Sequence, residues 1–160
     1  MSPRVGVGYD VHAFSADRSR ALILGGVVFP GETGLSGHSD ADVAAHAVAD
    51  AMLGAAGLGD IGMYFSDQDV RWKGARSMDL LAKTADLVKQ IGFKLVNADC
   101  TVVCERPHLV GSREEMMANL SSAAGGPVHV KATRPEGLGA LGRQEGIACM
   151  AVALLEELSA

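Results

Sequence analysis

Aromatic side chains are scarce in this sequence: one Trp, two Tyr and four Phe among 160 residues. Any core must therefore be aliphatic, and the 48% hydrophobic content supplies it largely from Ala, Val, Leu, Ile and Met. Cysteine is sparse too. Cys100, Cys104 and Cys149 are odd in number and form no disulfide framework, so a reducing cytoplasm is the expected compartment. Long apolar runs are missing. Residues 43–58 are interrupted by His46 and Asp50, and the run 146–155 has only ten residues, too few to span a bilayer. The opening MSPRVGVGYD lacks the apolar stretch of a secretory signal. Cations are in deficit, with a net charge of −5 and no Lys/Arg cluster, which argues against nucleic-acid and membrane partners. A phosphate-bearing ligand would have to be met by local cations, either metal ions or placed side chains.

What is present is glycine, 20 residues set singly or in pairs at junctions. The length favours one domain over residues 1–160. Residues 4–14 read as a strand, with Val5, Val7, Tyr9 and Val11 alternating against Gly6, Gly8, Asp10 and His12. Residues 21–29 read as a second strand with a bulge at Gly25-Gly26. A helix is expected from Ser39, where Ser39 and Asp42 have capping-box spacing, to Gly54 or Gly57. A polar connection over 57–73 leads to a helix over 77–91 stopped by Gly92. Further along come a β-rich run at 94–105, a helix at 114–124 capped by Ser112 with Glu115, a strand at 128–133 and a Gly-rich loop at 134–146. The final segment, 146–158, has helical composition but also the continuous apolar character of a buried strand. The order of elements is that of a mixed α/β or α+β protein.

Strand periodicity puts Asp10 and His12 on one face. On the first helix, positions 42 and 46 lie one turn apart, so His46 can face the same site with Asp42 as a supporting partner. One carboxylate and two imidazoles match a zinc site with three protein ligands and an open position. The plainer alternative is a strand-edge Asp/His pair and an unrelated helical histidine. His108 and His129 have no such company and read as structural or surface residues. Gly6-Val7-Gly8 lacks the third glycine and the following helix of a dinucleotide fingerprint. Those glycines read instead as places where another backbone, or another subunit, approaches the strand.

Five stretches in order, GYDVHAF, GGVVFP, GHSDADVAAHA, GLGDIGMYFSDQD and KAT followed by EGLG and EGIA, resemble the 2-C-methyl-D-erythritol 2,4-cyclodiphosphate synthase family from about residue 4 to residue 156. The resemblance implies an enzyme of the non-mevalonate isoprenoid route. It converts a CDP-linked methylerythritol 2-phosphate into the cyclic diphosphate and CMP. The rival readings are a zinc-dependent phosphodiester hydrolase and a non-catalytic trimeric protein that binds isoprenoid diphosphates. The implied fold is a four-stranded sheet with helices on one face, the sheets of three copies packing around a homotrimer axis. This tips the last segment toward strand.

Carried onto matching positions, the resemblance gives Asp10, His12 and His46 to zinc, and His38 and Ser39 to the substrate phosphates, with His38 the catalytic candidate. Asp60, Ile61 and Gly62 would take the erythritol part, and Phe65, Asp67 and Asp69 would belong to a loop covering the substrate. Thr133 and Glu136 would approach the CDP diphosphate, Glu136 as ligand to a second cation, Mg²⁺ or Mn²⁺. Arg143, counted among the substrate contacts, would with Glu145 lie near the trimer axis, beside a central cavity suited to isoprenoid diphosphates and with active sites between subunits. Arg134 stands where the family carries a Thr.

Overall fold

A computed structural model describes residues 2–159. Four strands form the main sheet in the order β1-β6-β4-β5. They are β1 (Arg4–Ala13), β4 (Phe93–Val103), β5 (Val128–Thr133) and β6 (Gly146–Glu157). β6 runs antiparallel to both β1 and β4, and β4 runs parallel to β5. The last segment is thus a strand, paired on both sides. Its helix propensity is overridden by two ladders of hydrogen bonds.

Helix α1 (Val43–Ala56) is buried almost all round, as expected of a helix rich in Ala, Val and Leu at the centre of a domain. Only His46, Asp50 and Gly54 break that burial. α1 lies on β1 at backbone distance. A Cβ on Gly6 would sit 2.1 Å from the Ala51 carbonyl oxygen, and one on Gly8 would sit 1.9 Å from that of Ala47. The two glycines therefore admit a helix of the same chain. Helices α3 (Ser77–Gln90) and α4 (Arg113–Ala124) complete the covered side, α3 against α1 and α4 against β5.

Several local expectations are corrected. Residues 21–29 are not one bulged strand. They form a hairpin of β2 (Leu22–Leu24) and β3 (Val27–Phe29). Gly25 and Gly26 both have positive φ, 57° and 72°, the requirement of a two-residue turn that matches strand twist. α1 begins at Val43, not at Ser39, and its cap is Asp42. The Asp42 side chain accepts from the amides of Ala44 and Ala45 and from those of Gly25 and Gly26. Asp42 thus ties the hairpin turn to the helix start and does not support the His46 ring. Ser39 instead accepts from the Ala41 amide. Ser112 makes no side-chain cap bond, because its own backbone is already helical at φ −113°, ψ −5°. The connection 57–73 contains α2 (Ile61–Tyr64) and a 3₁₀ turn (Val70–Trp72), and the Gly-rich loop contains α5 (Gly139–Gly142).

The other face of the sheet is uncovered. Val5, Val7, Tyr9 and Val11 of β1 stand out from it between 48% and 64% exposed. Register places Tyr9 opposite Met150 and Val7 opposite Val152, so the apolar patch continues onto β6. Across β4 and β5 the same face turns polar, with Asp99 paired to Lys131. Among the described residues no helix is long and apolar enough to cross a membrane.

Candidate metal centre and substrate cleft

Asp10 and His12 project from the helix-covered face of β1 near its end, and His46 meets them from the first turn of α1. One ligand atom from each of the three lies within 4.8 Å of the others. His12 Nε2 and His46 Nδ1 each stand 3.1 Å from Asp10 Oδ2. The tautomers decide what this means. His12 Nδ1 lies 2.8 Å from the Ser36 carbonyl oxygen, which can only accept, so Nδ1 carries the proton. Nε2 of the neutral ring is then bare, buried and without a donor. A lone pair faces a carboxylate, an arrangement that demands a cation between them. The set fits a divalent metal with nitrogen and oxygen ligands.

The protonation preferences agree. Burial alone would raise the Asp10 carboxyl, but the hydrogen bonds and charge of His12 and His46 outweigh it and hold it well below the usual carboxylate range. The Asp10 hydrogen bond, working against burial, raises His12 above its ordinary value.

The loop that serves His12 is itself held. Ser36 N donates to the Ala13 carbonyl, and a lone bridge joins Phe14 to Leu35. The Arg20 guanidinium donates to the carbonyls of Leu35 and Ser39, bracketing Ser36 and His38. Nothing in the spacing of the sequence pointed to Arg20.

A cleft of about 420 Å³ opens over the three ligands. His38, Ser39, Ile61, Gly62, Phe65 and Asp67 line it, together with Trp72, which the sequence did not single out. Phe65 and Trp72 meet edge to face at 5.2 Å. Asp60 caps α2 by accepting from Met63 N at 3.1 Å, and stands next to the lining residue Ile61. Asp50 accepts from Ile61 N at 3.0 Å and anchors that turn to α1. Asp69 turns its carboxylate to Arg71 and reaches the cleft only through its carbonyl, 3.1 Å from His38 Nε2.

Thr133, Glu136 and Arg143 are not in this cleft. Thr133 lines a second, smaller one with Cys104, Glu105, Pro107, His108 and Arg134. Arg134 sits there 3.6 Å from Glu105. Glu136 follows on an exposed turn with φ 55°, a left-handed backbone held by Glu105, which accepts from Gly137 N at 2.8 Å. Arg143 pairs with Glu145 at 2.7 Å. A larger cleft of about 560 Å³ runs along the β2–β3 hairpin beside Arg18 and Arg20.

Residues 3–156 match the YgbB family. A curated 2-C-methyl-D-erythritol 2,4-cyclodiphosphate synthase of Alkaliphilus oremlandii is 52% identical over 153 residues, covering 94% of this chain and 96% of that protein. Among solved structures, the bifunctional IspDF from Campylobacter jejuni superposes with a TM-score of 0.93 at 41% identity, covering 99% of this chain but only 43% of that one. The IspF of Plasmodium falciparum, solved as a CDP complex, gives 0.84 at 29% identity and covers 99% and 98% of the two chains.

Proposed function

This chain belongs to the YgbB family, and from that membership we propose how its residues carry out the reaction of its curated relatives. Its activity is that of a 2-C-methyl-D-erythritol 2,4-cyclodiphosphate synthase of the non-mevalonate isoprenoid route. The substrate is the CDP-linked methylerythritol 2-phosphate. An oxygen of its 2-phosphate attacks the β-phosphorus, the bond from that phosphorus to the CMP oxygen breaks, and the cyclic diphosphate and CMP leave. Nucleophile and leaving group belong to one molecule, so the protein's task is to fold it in line and to neutralise charge.

The observation that carries this reading is the bare, buried Nε2 of His12 facing Asp10, with His46 completing the set on the floor of a cleft. Asp10, His12 and His46 hold zinc, which when bound supplies a Lewis acid for the β-phosphate. His38 and Ser39 line the wall beside it and bind the phosphates. The contact of His38 Nε2 with the Asp69 carbonyl orients the ring against the cleft wall where the phosphates bind. Asp60, Ile61 and Gly62 receive the erythritol part, and Phe65 and Asp67 cover it, with Asp69 fixing the covering loop through Arg71. Thr133 approaches the CDP diphosphate, and Glu136 binds the second cation, Mg²⁺ or Mn²⁺, that accompanies it.

Within one protomer these last two residues lie apart from the zinc ligands. The uncovered apolar face of β1 and β6 supplies the reason to assemble: three copies bury it around one axis, with Arg143 near that axis. Each complete site then joins the Asp10 cleft of one subunit to the Thr133 cleft of the next. The axis encloses a cavity suited to isoprenoid diphosphates.

Purified protein supplied with zinc, Mg²⁺ and the CDP-linked substrate is expected to release CMP, with the cyclic diphosphate seen by ³¹P NMR. A linear diphosphate would make it a hydrolase. Ligand-dependent thermal stabilisation without CMP release would make it a binding protein.

A further inference from the structure

His46 Nε2 points away from the metal cleft, and what it meets there is not explained by the reaction. The Ser77 hydroxyl lies 2.8 Å from it. Ser77 opens α3, is 1% exposed, and has no solvent to exchange with. Its hydroxyl also contacts Asp40 Oδ1 at short range, while its backbone amide donates to Asp40 Oδ2 at 3.1 Å. A carboxylate only accepts, and a hydroxyl has one proton. The Ser77 proton therefore goes to Asp40, and Ser77 must accept from His46. The His46 proton is thereby placed on Nε2, and Nδ1 is left bare toward Asp10. Ser39 Oγ, 3.2 Å from the same nitrogen, is a second acceptor on that side.

We propose that Ser77 and Asp40 are positioning residues of the metal site: they fix the tautomer and the aim of His46 without touching the metal or substrate. The chain runs from Asp40 to Ser77 to His46, so its direction is set by the one member that cannot donate. Asp40 is itself pinned, accepting from Asp42 N at 3.2 Å and donating its own amide to the Ala75 carbonyl at 3.0 Å. α3 thus orients a ligand carried by α1. Partners of metal-bound histidines commonly alter affinity about 10- to 100-fold when removed.

The inference rests on zinc binding at Asp10, His12 and His46, and its test keeps the two apart. Zinc affinity is measured by chelator competition on wild type, Ser77→Ala, Asp40→Asn and the double variant. Circular dichroism and thermal unfolding verify that each folds. Each single variant is expected to bind zinc about 10- to 100-fold more weakly. The double variant is expected to be no weaker than the weaker single one, because the two residues act through one bond. In ¹⁵N-labelled zinc-loaded protein, the His46 ring should carry its proton on Nε2. In Asp40→Asn the amide can donate to Ser77, which then donates to His46 and drives the proton toward Nδ1. Folded single variants that bind zinc within twofold of wild type, or additive losses in the double variant, overturn the proposal. If His46→Ala leaves zinc affinity unchanged, the zinc assignment fails instead, and the ring ¹⁵N shifts of metal-free Ser77→Ala still decide whether Ser77 sets the tautomer: a shift supports it, no shift overturns it.

Discussion

The two faces of β1 carry opposite solutions to one problem. On one face Gly6, Gly8, Asp10 and His12 meet α1 so closely that the first two have no room for a side chain. On the other, Val5, Val7, Tyr9 and Val11 reach into open space. The close face gives precision: a helix seated on backbone holds His46 at a fixed height over Asp10 and His12. The open face leaves apolar area unspent, and that area is what a second copy can bury. One strand thus sets the metal site with its even residues and, on our reading, the assembly with its odd ones.

The largest expected break in this comparison is Gly8→Val. The added carbons have nowhere to go, because the obstacle is the α1 backbone at Ala47, 1.9 Å from the position of Cβ. The substitution should cost more than about 3 kcal/mol and abolish zinc binding, measured by denaturant unfolding and metal content. The neighbouring Val7→Ala should cost far less in the isolated chain. Equal losses at the two positions would mean that the close face is not what holds the site.

Next in size is the open face. Val7 and Val152 are directly paired across β1 and β6, so Val7→Glu with Val152→Glu puts two like charges at the centre of the patch. Sedimentation should show monomers in place of the trimer proposed for wild type. Zinc content should persist, and CMP release should fall at least about tenfold, since each site would lack its Thr133 half. Trimers that survive the change would move the interface elsewhere.

Much of the close face was legible in advance. A period of two places Asp10 beside His12, and a helical turn starting near residue 43 places His46 over them. The hairpin was not, because Gly-Gly between apolar residues suits a bulge as well as a two-residue turn, and the choice is made by Asp42 from 17 and 16 residues away. The cap at Ser39 was misplaced for a related reason. Local spacing favoured Ser39, but the buried carboxylate at Asp42 gathers four amides, and a serine cannot. Ser77 was visible only as a helix start, since its contact with His46 spans 31 residues. The final strand needed the family resemblance, because a central strand and a buried helix share the same composition.

A moderate effect is expected at that carboxylate. Asp42→Asn keeps Oδ1 accepting from the Gly25, Ala44 and Ala45 amides but turns an NH₂ toward the Gly26 amide, at a cost of about 1–3 kcal/mol. Burial pushes the Asp42 carboxyl up to about 6 from 3.8, against the pull of the Gly26 and Gly25 amides. Between those values the folded protein holds more protons than the unfolded one, so this group's contribution to stability is full below 3.8 and is lost as pH rises through about 6. Unfolding free energies of wild type should therefore show a decline over that window that is missing in Asp42→Asn. A difference that is flat with pH would mean that the amides hold Asp42 charged throughout.

The smallest expected effect separates exposure from interface. Val28 is 54% exposed, close to the 62% of Val7, yet it stands on the short β2–β3 hairpin beside the groove at Arg18, outside the main sheet. If exposed apolar area alone drove assembly, Val28→Thr would weaken it as Val7→Glu does. The contiguous patch on β1 and β6 argues otherwise, because burial is gained by a surface and not by a residue. Val28→Thr should leave the sedimentation profile unchanged and shift unfolding by no more than about 0.5 kcal/mol. Dissociation caused by Val28→Thr would extend the interface onto the hairpin and erase the contrast between the two sheets.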